Sequence, residues 1–282
     1  LKQTYPHIEY LVIDGGSTDD SISIIQRYSD KIKYWESQPD RGQAHAVNKG
    51  LLKSHGDILG WLNSDDVLLP QTVALVVDVF RKEPEVDVVY GRLDRIDEKG
   101  KILPTPILPK DRVDFSKELV VGECVVNQPG CFWKREVMQR VGLLNENLDY
   151  ALDYEYWARL ALEGAIFFHL PNVLALFRLS PMSKTVGQTT KHAIEQLYVL
   201  DEISSRQDLP EKIGKSPDEI KFTARTTRAR FYLQAFYGEY KNRNLVGSIS
   251  MLGKAMKNDP RAIFDRRWIE LGFASLKRRL MS

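Results

Sequence analysis

Three times in its first 66 residues the chain runs a short, β-rich apolar segment straight into an acidic turn, and each time a helical pattern follows. Glu9 to Ile13 leads into Asp14-Gly15-Gly16-Ser17-Thr18-Asp19-Asp20 and then the periodic Ile22, Ile24, Ile25 and Tyr28. Ile32 to Glu36 leads into Ser37-Gln38-Pro39-Asp40-Arg41-Gly42 and a helix over 43–54. Ile58 to Leu62 leads into Asn63-Ser64-Asp65-Asp66, ahead of a helix announced by Pro70, and Val86 to Tyr90 supplies a further strand. This alternation predicts an α/β fold with a mostly parallel sheet flanked by helices. Acids at the C-terminal ends of such strands stand where open α/β sheets take up ligands.

Each acidic turn has two readings. Asp65 and Asp66 repel one another unless a cation or solvent relieves them, and hard divalent ions such as Mg²⁺ or Mn²⁺ prefer oxygen ligands. The rival is that Ser64, Asp65 or Asp66 caps the following helix. Asp14 is placed to accept hydrogen bonds from a nucleobase or ribose, with glycines that let a ligand approach the backbone, or it belongs to a plain strand-to-helix turn capped by Ser17 or Thr18. Asp40 is either turn chemistry in a Pro/Gly loop or a second acid at the same sheet edge. Within the helix over 43–54, Ala44, Val47 and Leu51 form the apolar stripe, and Asn48 and Lys49 face either solvent or a ligand. Asp153 opens a helix whose Trp157, Leu160 and Ala161 are spaced to point inward; it is a cap or a catalytic base.

The 282 residues, 43% of them hydrophobic, suffice for a sizeable core. The longest apolar candidate for a membrane span, Gly164 to Phe177, is broken by His169, Pro171 and Asn172. Cys124 and Cys131 suit neither a zinc site nor a disulfide framework, which points to a reducing cytoplasm. Residues 92–112, with the turn Asp97-Glu98-Lys99-Gly100 and prolines at 104, 106 and 109, read as a hairpin and an irregular loop suited to acceptor contacts or a lid.

Charge divides the chain unequally. Residues 1–182 hold 21 Lys and Arg against 27 Asp and Glu, a balance of −6, whereas residues 183–282 hold 19 against 11, a balance of +8. From about residue 186 the texture is polar and helical, over Thr189 to Ser204, Ile220 to Tyr240 and Leu245 to Lys257. The stretch ending Ala255-Met256-Lys257-Asn258-Asp259-Pro260 faintly resembles a tetratricopeptide helix pair. A basic amphipathic helix over Arg266 to Leu280 either lies on an anionic bilayer or packs onto the first domain. Basic and aromatic residues do not interleave in the manner of a nucleic-acid surface.

Taken together, Ile13 to Asp19, Pro39 to Gly42, Ala46-Val47-Asn48-Lys49-Gly50, Trp61 to Asp66 and Asp149 to Leu160 resemble a family 2 glycosyltransferase of the GT-A fold, over residues 1 to about 185. The resemblance implies a Rossmann-like GT-A domain over 1–185, lacking the family's first strand and helix, and an α-helical appendage over 186–282. It implies inverting transfer of a sugar from a nucleotide diphosphate donor to the hydroxyl of a glycan or lipid-linked acceptor. The setting would be polysaccharide or cell-envelope synthesis, in the cytoplasm or at the inner face of its membrane, with peripheral membrane contact. Asp14, Gly15, Ser17, Asp40, Asn48 and Asp65 would bind the nucleotide sugar, Asp14 reading the base. Asp65 with Asn63 would hold Mn²⁺ or Mg²⁺, and Asp153 would be the base. This chain has Gly15 where the family often has a second Asp, Asn63 as the first residue of its Asp-x-Asp motif, and Leu179-Ser180 where relatives commonly place a His. Two rivals come from other classes: a nucleotidyltransferase, expected to show a Gly-rich basic triphosphate loop that these residues lack, and a non-catalytic scaffold using the helical tail.

Overall fold

The computed structural model describes residues 1–104, 126–180 and 184–264. They fall into two compact units, 1–104 with 126–180, and 184–264. Residues 105–112 of the irregular loop, Cys124 and the basic helix expected over Arg266 to Leu280 lie outside the described residues.

The first unit is α/β. Strand β1 (Leu11–Asp14), helix α1 (Ser21–Arg27), strand β2 (Tyr34–Ser37) and helix α2 (Gln43–Lys53) form a two-stranded sheet with its two helices. β1 and β2 run parallel, in a register that sets Asp14 opposite Ser37. There follow β3 (Ile58–Leu59), β4 (Val67–Leu68), α3 (Thr72–Lys82), β5 (Val88–Ile96), β6 (Ile102–Leu103), β7 (Cys131–Lys134), α4 (Arg135–Val141), α5 (Leu152–Leu162) and β8 (Phe167–Arg178). These strands make a second sheet of order β3-β7-β5-β8-β4, with β6 paired to β5. Among the described residues the two longest ladders, β1–β2 and β5–β8, are parallel; the short ladders that flank them are antiparallel.

Two local departures from the sequence expectation have physical causes. Ile58 to Leu62 keeps strand geometry only over Ile58–Leu59, antiparallel to β7, because Gly60 lies against the Phe132 ring and Trp61 turns inward to an aromatic cluster. The apolar runs on either side of Pro171 form one strand, β8, whose register against β5 shifts between Gly91 and Leu93. A Cβ at Gly91 would stand 2.5 Å from Leu174 and 3.0 Å from the Asn172 carbonyl, so only glycine allows the two backbones to close at that shift.

The core beneath α3 gathers Val76, Val79, Phe80, Val86, Val89, Phe132, Leu170 and Leu174. Each such side chain contributes about 1.5–3 kcal/mol by leaving water. α5 is buried on nearly every side: Tyr156, Trp157, Ala158 and Leu160 are sealed from solvent.

The second unit is helical: α6 (Lys184–Gly187), α7 (Thr189–Ser204), α8 (Leu209–Ile213), α9 (Pro217–Lys241) and α10 (Leu245–Asn258), closed by a tight turn over Pro260–Phe264. A capping box between Ser216 and Glu219 starts α9. Arg243, in a left-handed conformation at φ 61°, and Asn244, whose side chain accepts from Gly247 N–H, reverse the chain into α10. Ala229, Leu233, Ala255 and Ala262 form the seam of that hairpin. Among the described residues no helix is long and apolar enough to cross a membrane.

Candidate active site

The first acidic turn is complete in itself. Asp14 ends β1, and its Oδ2 accepts hydrogen bonds from the N–H groups of Gly16 (3.0 Å) and Ser17 (2.9 Å) and from the Ser37 hydroxyl (2.6 Å). Its Oδ1 accepts from the Ser17 hydroxyl at 2.5 Å. The hydroxyls of Ser17 and Ser37, then the backbone donors, hold the Asp14 carboxyl down at about 2. A Cβ at Gly15 would stand 2.4 Å from the carboxylate of Asp40, so a side chain there would have to displace that carboxylate. Asp40 in turn accepts from the Gly42 N–H at 2.9 Å.

The start of α2 ties these loops to the approach to α5. Asn48 is buried, donating from Nδ2 to the Leu144 carbonyl (3.0 Å) and Glu146 Oε1 (3.1 Å) while its Oδ1 accepts from Leu144 N–H (3.0 Å). Glu146 also takes an ion pair from Arg41 at 2.6 Å. Asn48 therefore points into the 144–146 loop rather than outward, and Lys49 pairs with Glu36 at 3.0 Å. Gly42 backs onto Asp149, whose Oδ1 lies 3.2 Å from where a Cβ would be.

The third acidic turn, Asn63 to Asp66, is built differently. Gln43 Nε2 donates to Asn63 Oδ1 (2.8 Å), Asn63 Nδ2 donates to Gln128 Oε1 (3.0 Å), and Gln128 Nε2 donates to the Trp61 carbonyl (2.8 Å). A main-chain carbonyl can only accept, so its position at one end sets the orientation of all three amides. The amide oxygen of Asn63 is thus engaged by Gln43, and the side chain holds the turn that presents Asp65. Asp66, only 6% exposed, accepts from Arg178 N–H through Oδ1 (3.0 Å), whereas its Oδ2 is buried with no partner among the described residues. Burial, reinforced by the neighbouring Asp65 charge, pushes the Asp66 carboxyl up to about 6. The Arg178 guanidinium clamps the turn from outside, donating to the carbonyls of Asp65 (2.9 Å), Asp97 (2.9 Å) and Glu98 (3.1 Å). α3 takes Gln71 as its N-cap with no side-chain bond, so Ser64, Asp65 and Asp66 do not cap it.

Asp153 lies in the first turn of α5, whose N-cap is Ala151; its Oδ1 accepts from the following N–H of Tyr154 at 2.8 Å. One turn on, Trp157 stacks on Trp61 at 5.4 Å and 12°, and Trp133 meets both rings edge-on at 5.4 Å. Arg159 closes the other side, pairing with Glu155 at 2.7 Å and donating to the carbonyls of Val141 and Leu143. The residues singled out in the sequence therefore lie along one run of contacts: Asp14 and Gly15 to Asp40, Gly42 to Asp149, Gln43 to Asn63, and Trp61 to the helix of Asp153. Gln43, Gln128, Trp61 and Arg178 were not legible as site residues. Gln128 in particular acts across 65 positions, and nothing in the local pattern around Gln128-Pro129-Gly130 marks it. Asp66 had a signal, its adjacency to Asp65.

An orphaned, buried carboxylate oxygen beside a second carboxylate fits a hard cation. Among the described residues no group of three or more His, Cys, Asp or Glu is arranged to hold a metal. An ion at Asp65 and Asp66 would therefore complete its shell with waters or with the oxygens of a bound ligand, the arrangement Mg²⁺ favours.

A model of the family described as "Glycosyl transferase family 2" matches residues 1–142, just over half of the chain. The chain belongs to glycosyl transferase family 2. This member is 30% identical over 215 residues to "Uncharacterized glycosyltransferase RP339" of Rickettsia prowazekii (strain Madrid E), an alignment covering 73% of this chain and 64% of that protein. It is 29% identical over 180 residues to chondroitin synthase of Escherichia coli, covering 61% of this chain and 25% of that protein. The family 2 chain thus spans less than two thirds of these relatives. Its fold is shared with S. aureus TarS 1–349 in complex with UDP-GlcNAc, at a TM-score of 0.64 and 15% identity over 93% of this chain and 76% of that one. It is shared equally with mannosyltransferase PcManGT from Pyrobaculum calidifontis in complex with GDP-Man and Mn²⁺, at a TM-score of 0.62 and 17% identity over 94% and 81%. These neighbours establish the GT-A fold.

Proposed function

We propose that this chain transfers a sugar from a nucleotide diphosphate donor to an acceptor hydroxyl with inversion at the anomeric carbon, in the assembly of a polysaccharide or cell-envelope glycan. The carrying observation is the unsatisfied Asp66 oxygen beside Asp65, coupled through the Trp61–Trp157 stack to the helix that bears Asp153. The donors named for TarS and PcManGT, UDP-GlcNAc and GDP-Man, support a nucleotide sugar, and the Mn²⁺ of PcManGT supports a divalent ion.

In this reading residues 1–185 form the transferase domain and residues 186–282 the helical appendage. Asp14 and Ser17 keep the first turn in shape for the base and ribose, Gly15 and Asp40 line the nucleotide side, and Asn48 fixes the loop that leads to α5. A Mn²⁺ or Mg²⁺ ion held by Asp65, with Asp66 beside it, would supply the positive charge that offsets the negative charge of a departing diphosphate. Asn63 positions that turn through its amide hydrogen bonds, and its Oδ1, with a lone pair beyond the one that accepts from Gln43, is the oxygen proposed beside Asp65 for the ion. Asp153 takes the proton from the attacking hydroxyl of a glycan or lipid-linked acceptor. Its place near a helix N-terminus favours the ionised form, and a single displacement needs one base. The reaction would take place in the cytoplasm or at the inner face of its membrane.

Asp153→Asn preserves shape and removes basicity. It should leave nucleotide diphosphate binding with Mn²⁺ unchanged in a thermal-shift titration and lower sugar transfer by about a hundredfold or more. Transfer at the wild-type rate would overturn the assignment of the base, and the absence of any selective nucleotide would overturn the transferase reading itself.

A further inference from the structure

Helix α10 presents a face that the described residues leave open. Its opposite side is packed through Ser248 and Ala255, but Leu245 is 66% exposed, Val246 81%, Ile249 72% and Met256 44%. At helical spacing these four side chains fall within an arc of about 100°. Lys257 borders the arc, and Lys254, whose Nζ lies 5.7 Å over the Tyr232 ring, comes next. No Asp or Glu occurs between Leu245 and Asn258, while Lys241 and Arg243 stand just before the helix. The two flanking acids are already engaged: Glu239 accepts from Asn244, and Asp259 is buried and paired with Arg261 at 3.1 Å.

An exposed apolar arc whose charged neighbours on the helix are all cations is complementary to one kind of surface, an apolar layer beneath a sheet of anions. We propose that this face of α10 docks on an anionic lipid bilayer, with Val246, Ile249, Leu245 and Met256 entering the acyl boundary and the lysines meeting the phosphate headgroups. Charge argues against the other occupants. A second copy would bring more cations into the same interface with no acid on α10 to pair them, and the segment that follows, residues 265–282, carries five Lys and Arg against two acids. The docking surface belongs to the second unit, and the proposal does not rest on the transfer chemistry. It also places the membrane contact on a folded helix of the second unit instead of the basic C-terminal segment alone.

The test uses the full chain with vesicles of mixed phosphatidylglycerol and phosphatidylcholine and with vesicles of phosphatidylcholine only. The wild type should sediment with the anionic vesicles, less so in high salt, and only weakly with the neutral ones. V246S/I249S changes two solvent-facing positions and should melt like the wild type while its anionic-vesicle binding falls about tenfold. K254E/K257E should lose binding to a similar extent at low salt. Nucleotide diphosphate binding should be unchanged in both, which keeps this proposal separable from the transferase reading. Equal sedimentation of wild type and V246S/I249S would overturn the proposal. So would a dimer in sedimentation velocity that V246S/I249S breaks without altering vesicle binding, or protease release of residues 265–282 by that variant with vesicle binding intact; the face would then belong to a second copy or to the chain's own end.

Discussion

The first and third acidic turns of the first unit begin from similar sequence, a strand running into Asp and Ser, yet reach opposite electrostatic states. The turn at Asp14, with the Ser37 hydroxyl from β2, gives the carboxylate four hydrogen bonds and holds it at about 2. The turn at Asp66 buries a carboxylate, leaves one oxygen without a hydrogen-bond donor among the described residues and lets the group rise to about 6. A finished turn has a shape to offer a ligand, whereas an unfinished one has a charge to offer. The pair teaches that an acid after a strand is not by itself a metal ligand: what matters is how many donors the fold has already spent on it.

The sharpest way to break the comparison is at Asp65. Asp65→Ala should leave the melting temperature of the free protein nearly unchanged and abolish Mn²⁺-dependent nucleotide diphosphate binding, a loss of about a hundredfold or more in affinity by calorimetry. Unaltered metal dependence would mean that the turn at Asp65 is as self-sufficient as the turn at Asp14. Asp14→Ala should do the reverse, costing about 3 kcal/mol of stability through the lost charge-assisted hydrogen bonds while weakening nucleotide binding equally with and without metal. The folded pKa of Asp14 is depressed, so its stabilisation is full above about pH 4 and disappears as pH falls toward 2. Denaturant melts across that range should show the gap between wild type and variant closing.

The smallest effect sharpens the contrast by its sign. Asp66 has a raised folded pKa, so from about pH 4 to pH 6 the folded protein holds a proton that the unfolded chain has released, and stability falls as pH rises. Asp66→Asn should remove that slope, gaining about 2 kcal/mol on the wild type between the two ends of the window in metal-free buffer. A parallel pair of pH–stability curves would show that Asp66 is not desolvated in solution.

What was legible in the sequence follows the same division. Asp14, Asp40 and Asp65 could be picked out because a strand end is a local pattern, and the helices over Thr189–Ser204 and Leu245–Asn258 because periodicity is local too. The aromatic stack that carries Trp61 out of its expected strand, the passage of β8 through Pro171, and the grip of Arg178 on three distant carbonyls all depend on partners far along the chain. Asn48 shows the limit most plainly. A polar residue on a helix reads as solvent-facing or ligand-facing, but it is sealed against a loop 96 residues away.

The amide chain from Gln43 to Trp61 also restricts how this protein can vary. An Asp at position 63 would restore the family's Asp-x-Asp, yet it would turn an acceptor toward Gln128 Oε1, which stands 3.0 Å from the present amide nitrogen. Rotating Gln128 to answer it would bring the same oxygen against the Trp61 carbonyl, an acceptor that cannot change its nature. Positions 63 and 128 are therefore coupled through one hydrogen bond, and an acid at 63 leaves Gln128 with an acceptor facing an acceptor whichever way its amide is turned.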